Sequence, residues 1–238
     1  MRTLLFLSAL FLSACATGPL SADLQKQVDN VAVVSLLGDR LQARVIGTTI
    51  FQNREDGFDI SAWKFNQGTE KLFIEGFRAK GKKAFSLNPP KAGLDSALRA
   101  QADGMKSFLG THNNEMFELL AKTAEEKGAP YFLWIGGTAR HDNFPHHAGP
   151  LGVICYRSLL RNSPPTPYFL GVAVLYDTKT RKVVYRRSLD PGDTAERTYS
   201  DCAAVEKMGE KEYLAAARGP VEAARKFLVD QVLANMGL

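Results

Sequence analysis

The feature that most constrains this chain is a short apolar run at its N-terminus. Nine residues, Leu4 to Leu12, follow the basic Arg2 and precede the small residues Ser13 and Ala14. As a helix, the run would rise about 14 Å, too little to cross a hydrocarbon core of about 30 Å. The run alone would also fit a buried helix, but a positive start and a small-residue break are typical of a secretory signal. We therefore predict that residues 1–14 direct export and that the remaining chain folds in an oxidising compartment.

The four residues that end this signal, Leu12-Ser13-Ala14-Cys15, resemble the bacterial lipobox. In proteins of that class the cysteine is lipidated and becomes the first residue after cleavage. The resemblance implies that acylated Cys15 anchors the chain in a lipid bilayer, since several acyl chains bury many CH₂ groups at about 0.8 kcal/mol each. In such lipoproteins an Asp after the cysteine favours retention in the inner membrane, and here Ala16 follows instead. The resemblance therefore also implies that the protein is anchored in the outer membrane and faces the periplasm. The alternative is an ordinary cleaved signal that contains a cysteine.

The chain has three cysteines, and assigning Cys15 to lipid leaves Cys155 and Cys202. An even pair in an oxidising compartment predicts a disulfide. Closing a loop of about 48 residues would stabilise the fold by roughly 4 kcal/mol on the chain-entropy model. The alternative is two separately buried thiols. Their spacing excludes a Cys-x-x-Cys metal or redox site.

The composition is that of a folded globular protein. Of 238 residues, 45% are hydrophobic and 23% charged, which argues against disorder, a coiled coil or a disulfide-dense mini-protein. The net charge of +5 is too small for a nucleic-acid-binding signature. We find no internal repeat or linker and expect residues 15–30 to be a lipidated tether and residues 31–238 a single domain.

The pattern of apolar residues predicts an α+β fold. Strands are expected at the short runs rich in β-branched or aromatic residues: 31–37, 41–51, 83–87, 131–135, 153–156, 169–176 and 182–188. Helices are expected where apolar residues recur at helical spacing: 69–79, 94–109, 114–127 and 220–236. The first two strands and the last two are expected to form hairpins. Hairpins interrupted by helices predict one mixed, mostly antiparallel sheet with helices packed against it.

Three segments resemble periplasmic lipoproteins such as the curli-secretion lipoprotein and the penicillin-binding-protein activators. They are the first strand, residues 31–36, the helix-to-strand segment, residues 127–137, and the hairpin around Asp177-Thr178-Lys179-Thr180. The resemblance implies a fold without a shared active site, whose members bind protein or envelope partners and in some cases oligomerise. The long inserts at 53–68 and 139–167 depart from the family pattern.

Three histidines lie within seven residues, at His141, His146 and His147, beside Asp142. Imidazole and carboxylate groups are suitable ligands for Zn²⁺ or Cu²⁺. Adjacent histidines in extended backbone point to opposite sides, however, and the surrounding Pro and Gly indicate an exposed loop. A metal site is therefore the alternative to a solvated or partner-contacting loop.

Two further patterns are candidates for binding. Basic residues cluster along two stretches: Arg78, Lys80, Lys82 and Lys83, and Lys179, Arg181, Lys182, Arg186 and Arg187. Such clusters are either solvated faces or surfaces that contact anionic lipid or cell-wall polymer. Pro164 and Pro165, with Tyr168, either stiffen the entry to a strand or, if exposed, form a protein interface.

The chain lacks the sequence motifs of common catalytic sites, such as Gly-x-Ser-x-Gly and His-Glu-x-x-His. We therefore interpret it as a lipid-anchored, non-enzymatic binding or assembly factor of the bacterial cell envelope, without a cofactor. Its expected partners are an envelope protein or a second copy of the chain, and not nucleic acid. The alternatives are a metal-binding lipoprotein that uses the histidine loop and an envelope hydrolase.

Overall fold

The computed structural model describes residues 18–94, 114–137, 149–157, 162–189 and 208–238. Its strands follow one another along the chain as β1 to β9: Asn30–Leu36, Arg40–Ile46, Arg54–Asp59, Lys83–Ser86, Tyr131–Gly137, Leu151–Arg157, Asn162–Phe169, Gly171–Asp177 and Lys182–Leu189. Its helices are α1 to α4: Ala22–Gln27, Phe65–Ala79, Asn114–Glu126 and Glu210–Met236. None of the helices in these ranges is long and apolar enough to span a membrane.

The strands form two mixed sheets. The first, sheet A, has the order β4-β1-β5-β8-β9, and the second, sheet B, has the order β3-β2-β6-β7. β1 runs parallel to both β4 and β5, and β2 runs parallel to β6, while the other four pairings are antiparallel. The α+β class and the mixed sheet are confirmed, but the strands divide between two sheets.

Sheet B lies beyond the carboxyl ends of β1 and β5. Three residues, Leu37 to Asp39, carry the chain from β1 in sheet A into β2 in sheet B. On the return, Leu170 alone separates β7 from β8. The same neighbours therefore persist from one sheet to the next, because β1, β5 and β8 in sheet A correspond to β2, β6 and β7 in sheet B.

Helices cover both faces of sheet A. On one face α2 and α4 bury a large apolar cluster. The cluster also includes Leu41, Leu151 and Val153, at the end of sheet B that adjoins sheet A. On the other face α3 packs Met116, Leu120 and Ala124 against the alternate side chains of β1, β5 and β8. The predicted apolar face of this helix is therefore confirmed, since the alternation of strand side chains supplies an apolar surface on both sides.

Three local predictions are wrong. β1 and β2 do not form a hairpin, because each pairs with strands distant in sequence and Gly38, at φ +87°, redirects the chain between the sheets. Residues 162–169 are a strand, β7, and not a connection. The last helix begins at Glu210, with Pro220 inside it, and not at Pro220. The helix predicted at 94–109 falls almost entirely outside the described residues.

Candidate interaction surface

The turn between β2 and β3 carries two exposed apolar side chains. Ile50 is 77% exposed and Phe51 is 91% exposed. Within the ranges that the structure describes, no other large hydrophobic side chain is exposed. Apolar surface of this kind contributes nothing to the core and is a feature of binding surfaces. We call residues 47–53 the β2–β3 turn.

Hydrogen bonds from the backbone to two side chains fix the conformation of this turn. The Gly47 N–H donates to Asn53 Oδ1 at 3.0 Å, while the N–H groups of Thr48 and Thr49 donate to Gln52 Oε1 at 2.9 and 3.3 Å. Residues 50–52 form one 3₁₀ turn, in which the Gln52 N–H donates to the Thr49 carbonyl. The polar residues of the turn thus bond to one another and hold the two apolar side chains outward.

The polar residues within the turn are uncharged. Thr48, Thr49, Gln52 and Asn53 are exposed and neutral. The next residue, Arg54, is paired with Asp56 through a bond of 2.6 Å between its Nε and Oδ2. A contact made by Ile50 and Phe51 would therefore desolvate few charges, which removes one of the main penalties of association.

The two edge strands of sheet B are poorly suited to pairing with another chain. β3 carries four charged residues out of six, including Glu55, which pairs with Arg44 at 3.1 Å. β7 contains three prolines, at positions 164, 165 and 167, which have no N–H to donate. Charges and prolines are the usual means by which edge strands avoid adding a further strand.

The proline segment proposed as a partner surface is therefore placed differently by the structure. Pro165 is buried, Pro164 is half-buried, and the Tyr168 ring is 0% exposed and lies against Gly152 on the neighbouring strand. A side chain at Gly152 would occupy the space of that ring. Tyr168 is thus a packing residue, and its prediction as a partner contact is wrong.

At the opposite end of the molecule, which we call the base, the start of the described chain packs against the end of α4. The Leu20 N–H donates to the Met236 carbonyl at 3.3 Å, and the Gln25 amide donates to the Leu20 carbonyl at 2.9 Å. Lys82 donates its Nζ to the Gln25 carbonyl at 2.5 Å. The chain therefore enters the fold at the base, a few residues after Cys15.

Several residues of the two basic clusters make local structural contacts. Arg181 pairs with Glu118 at 3.3 Å and Glu125 at 3.1 Å on α3. Arg78 and Arg187 donate to backbone carbonyls, and Lys82 donates to α1. The strand ends bring the turns of both clusters to the base of sheet A, where acidic residues are interspersed among them: Asp23, Asp29, Glu126 and Asp177. The base is consequently a mixed-charge surface rather than a basic one.

A half-buried polar cluster joins α2 to the carboxyl ends of β1 and β4. The Glu70 carboxylate accepts from the Ser35 N–H at 3.0 Å and from the Ser86 hydroxyl at 2.5 Å, and Asn66 Oδ1 accepts from the Leu37 N–H at 2.9 Å. Burial raises the pKa of Glu70, and the two hydrogen bonds oppose that rise. These contacts brace the junction between the sheets.

The remaining predicted site residues fall largely outside the described residues. Cys15, His141, His146, His147 and Cys202 all do. Cys155 is 2% exposed and takes part in a disulfide whose partner is also outside the described residues, so its pairing with Cys202 stays a prediction. Among the described residues there is no group of three metal-binding side chains.

Sequence reasoning missed the two exposed residues. Ile50 and Phe51 were assigned to a strand, residues 41–51, because they are β-formers that continue an apolar run. The available signal was the set of short polar turn formers around them, Gly47-Thr48-Thr49 on one side and Gln52-Asn53 on the other. An apolar pair between two such groups indicates a turn that displays it.

No protein-family model matches the chain, and no curated protein matches it. Among solved structures, the chain is similar to the PelC dodecamer from Paraburkholderia phytofirmans, with 13% identity over 92% of each chain and a TM-score of 0.32. It is also similar to the LpoB C-terminal domain from Salmonella enterica, with 12% identity over 68% of this chain and 80% of that one and a TM-score of 0.22. Likenesses of this size establish neither a family nor a function.

Proposed function

We propose that the protein is a membrane-anchored lipoprotein of the bacterial cell envelope that acts as a non-enzymatic binding or assembly factor. The observation that carries this proposal is the β2–β3 turn, which displays Ile50 and Phe51 on a hydrogen-bonded loop. A rigid apolar projection is a means of recognition, since its ordering is complete before binding.

The position of the N-terminus supports the anchoring part of the proposal. The chain enters the fold at Leu20, five residues after Cys15, and five residues span at most about 18 Å. A lipidated Cys15 would therefore hold the base close to the bilayer. Growth with a clickable palmitate analogue should label the wild-type protein, and Cys15→Ser should lose both the label and the sedimentation with membranes. Equal labelling of the two proteins would contradict lipidation at this residue.

The binding part is tested by recovering partners from solubilised membranes with a tagged protein. We expect the double variant Ile50→Ser, Phe51→Ser to lose at least one protein that the wild type recovers. The variant Ile50→Leu, Phe51→Leu keeps the apolar surface and should recover it. Recovery of the same proteins by all three would show that the turn is not the binding surface.

A further inference from the structure

We propose that the β2–β3 turn is a plug: Ile50 and Phe51 insert together into an apolar pocket of a second protein, held away from the bilayer that anchors the chain. This inference rests on the proposed function, because it takes lipidated Cys15 as the anchor. It goes further in naming the kind of partner, the mode of contact and the side of the molecule on which the contact is made.

The described contacts place the turn far from the anchored end. Met236 lies at the base, and the ring of Tyr213, near the other end of α4, packs at a tilt on Phe58 with centroids 5.0 Å apart. The 23 residue steps from Tyr213 to Met236 rise about 35 Å. From Leu41, which pairs with Phe58, the hairpin extends five residues further, about 17 Å, to Ile46. The hairpin would have to fold back along α4 to bring the turn near the base.

The direction of sheet B strengthens this argument. β2 continues from the carboxyl end of β1, and it carries the turn away from the residues at which the chain enters the fold. When the base faces the bilayer, the turn points into the space on the far side of the domain. Only a domain lying on its long side would place both ends on the lipid surface.

Within the described residues, the exposed apolar area favours insertion over a flat interface. Two side chains of this size present roughly 300 Å² of apolar surface, whereas a stable interface buries about 800 Å² on each partner. Strand addition is disfavoured as well, because both edges of sheet B carry charges or prolines. Two neighbouring apolar anchors on a fixed turn are instead suited to a pocket, where fully desolvated residues carry most of the binding energy.

The surroundings of the turn define the chemistry of that pocket. The threonine, glutamine and asparagine side chains around the plug are neutral, and those of Gln52 and Asn53 already accept hydrogen bonds from the backbone of the turn. The part of the pocket that meets these residues is therefore apolar at its floor and uncharged at its rim. A highly charged groove would leave its own charges unpaired against these residues.

The experiment is site-specific photo-crosslinking in cells that express the full-length chain. A photoreactive phenylalanine analogue replaces Phe51, or, as the control, Asp56 on the adjacent edge strand. We expect one discrete protein adduct from position 51 and at least about tenfold less of it from position 56. The variant Asn53→Ala, which removes the acceptor of the Gly47 N–H, should lower the yield at position 51.

Each of the following outcomes would overturn the plug. An adduct of twice the mass of the chain would show that the turn contacts a second copy. Crosslinking of position 51 to phospholipid would show that the turn enters the bilayer. In that case the Cys15→Ser protein should also float with neutral phosphatidylethanolamine–phosphatidylcholine vesicles, and adding Ile50→Ser, Phe51→Ser should abolish the flotation. Equal adducts at positions 51 and 56, or a yield that ignores Asn53→Ala, would show contact without insertion.

The same cells separate this inference from the proposed function. Loss of palmitate label from Cys15→Ser, with no protein adduct at position 51, would leave an anchored lipoprotein and remove the plug. A discrete adduct from a chain that never takes up the label would keep the plug and remove the anchor.

Discussion

Apolar side chains are buried at one end of the molecule and exposed at the other. At the base, Leu20 and Met236 are almost fully buried, and the backbone of one is bonded to the backbone of the other. At the β2–β3 turn, Ile50 and Phe51 project from a loop that is also hydrogen-bonded but leaves both of these side chains exposed. The base thus uses apolar residues for stability, whereas the turn uses polar residues for order and leaves its apolar residues available.

This difference teaches that conformational order and burial are separable in this fold. The turn contributes little to the free energy of unfolding through Ile50 and Phe51, since surface that stays exposed gains nothing from folding. Substitutions there should change binding without changing stability. Substitutions in the core should do the reverse, which makes the comparison open to direct tests.

The largest expected effect comes from the same substitution made in the two regions. Phe73 on α2 is 0% exposed, so Phe73→Ala should lower the free energy of unfolding by about 3–5 kcal/mol. Phe51→Ala should change it by less than about 0.5 kcal/mol. Urea denaturation of both variants measures the difference. Comparable losses would mean that the turn is part of the packed core and is not a free surface.

The predicted disulfide concerns sheet B, which also bears the turn. Removing it with Cys202→Ser should destabilise the protein by about 4 kcal/mol, because the chain-entropy model assigns that value to a loop of about 48 residues. Cys155 lies on β6, in register with Val45 on β2, so hydrogen exchange should accelerate in sheet B before sheet A. Two titratable thiols in the native protein without reductant would contradict the pairing.

The sequence predicted those parts of the fold in which local pattern and final environment agree. The hairpin of β8 and β9 follows from two apolar runs around the turn at Asp177, whose side chain accepts from the N–H groups of Lys179 and Thr180. The apolar face of α3 follows from helical spacing alone. In both cases the sequence pattern that predicts the element lies within about 20 residues.

The parts that could not be predicted depend on distant residues. Gly38-Asp39 after an apolar strand is a plausible hairpin turn, yet β1 finds its partners in β4 and β5, more than 50 residues away. Pro220 is a strong helix-start signal, but Tyr213 and Ala217 before it are buried against the core, which offsets the roughly 3 kcal/mol that an internal proline costs. The exposure of Ile50 and Phe51 is equally hard to predict, because whether another segment packs over them cannot be read from the sequence of the turn.

A smaller effect is expected at the contact between β9 and α4, on the base side. The buried Tyr185 hydroxyl donates to Asn235 Oδ1 at 3.0 Å, so Tyr185→Phe should destabilise by about 1 kcal/mol at pH 7. Burial raises the pKa of Tyr185 to about 12, above its ordinary value near 10. The advantage of the wild type is therefore present below pH 10 and should decline as the pH rises towards 12. A difference that is constant from pH 8 to 12 would contradict this.

The smallest effect is expected at Glu70, at the junction between the two sheets. Because burial raises its pKa in the folded state, the carboxyl favours folding most when it is protonated. That stability is complete below the unfolded pKa near 4.3 and is lost as the pH rises through the folded value. Relative to Glu70→Gln, which keeps an oxygen acceptor for the Ser35 N–H, the wild type should therefore gain stability from pH 7 to pH 4. Glu75→Gln removes an exposed carboxylate from the same helix and so controls for the loss of charge alone. If the wild type gained as much stability relative to Glu75→Gln over this pH range, burial at the junction would not be the cause of the effect at Glu70.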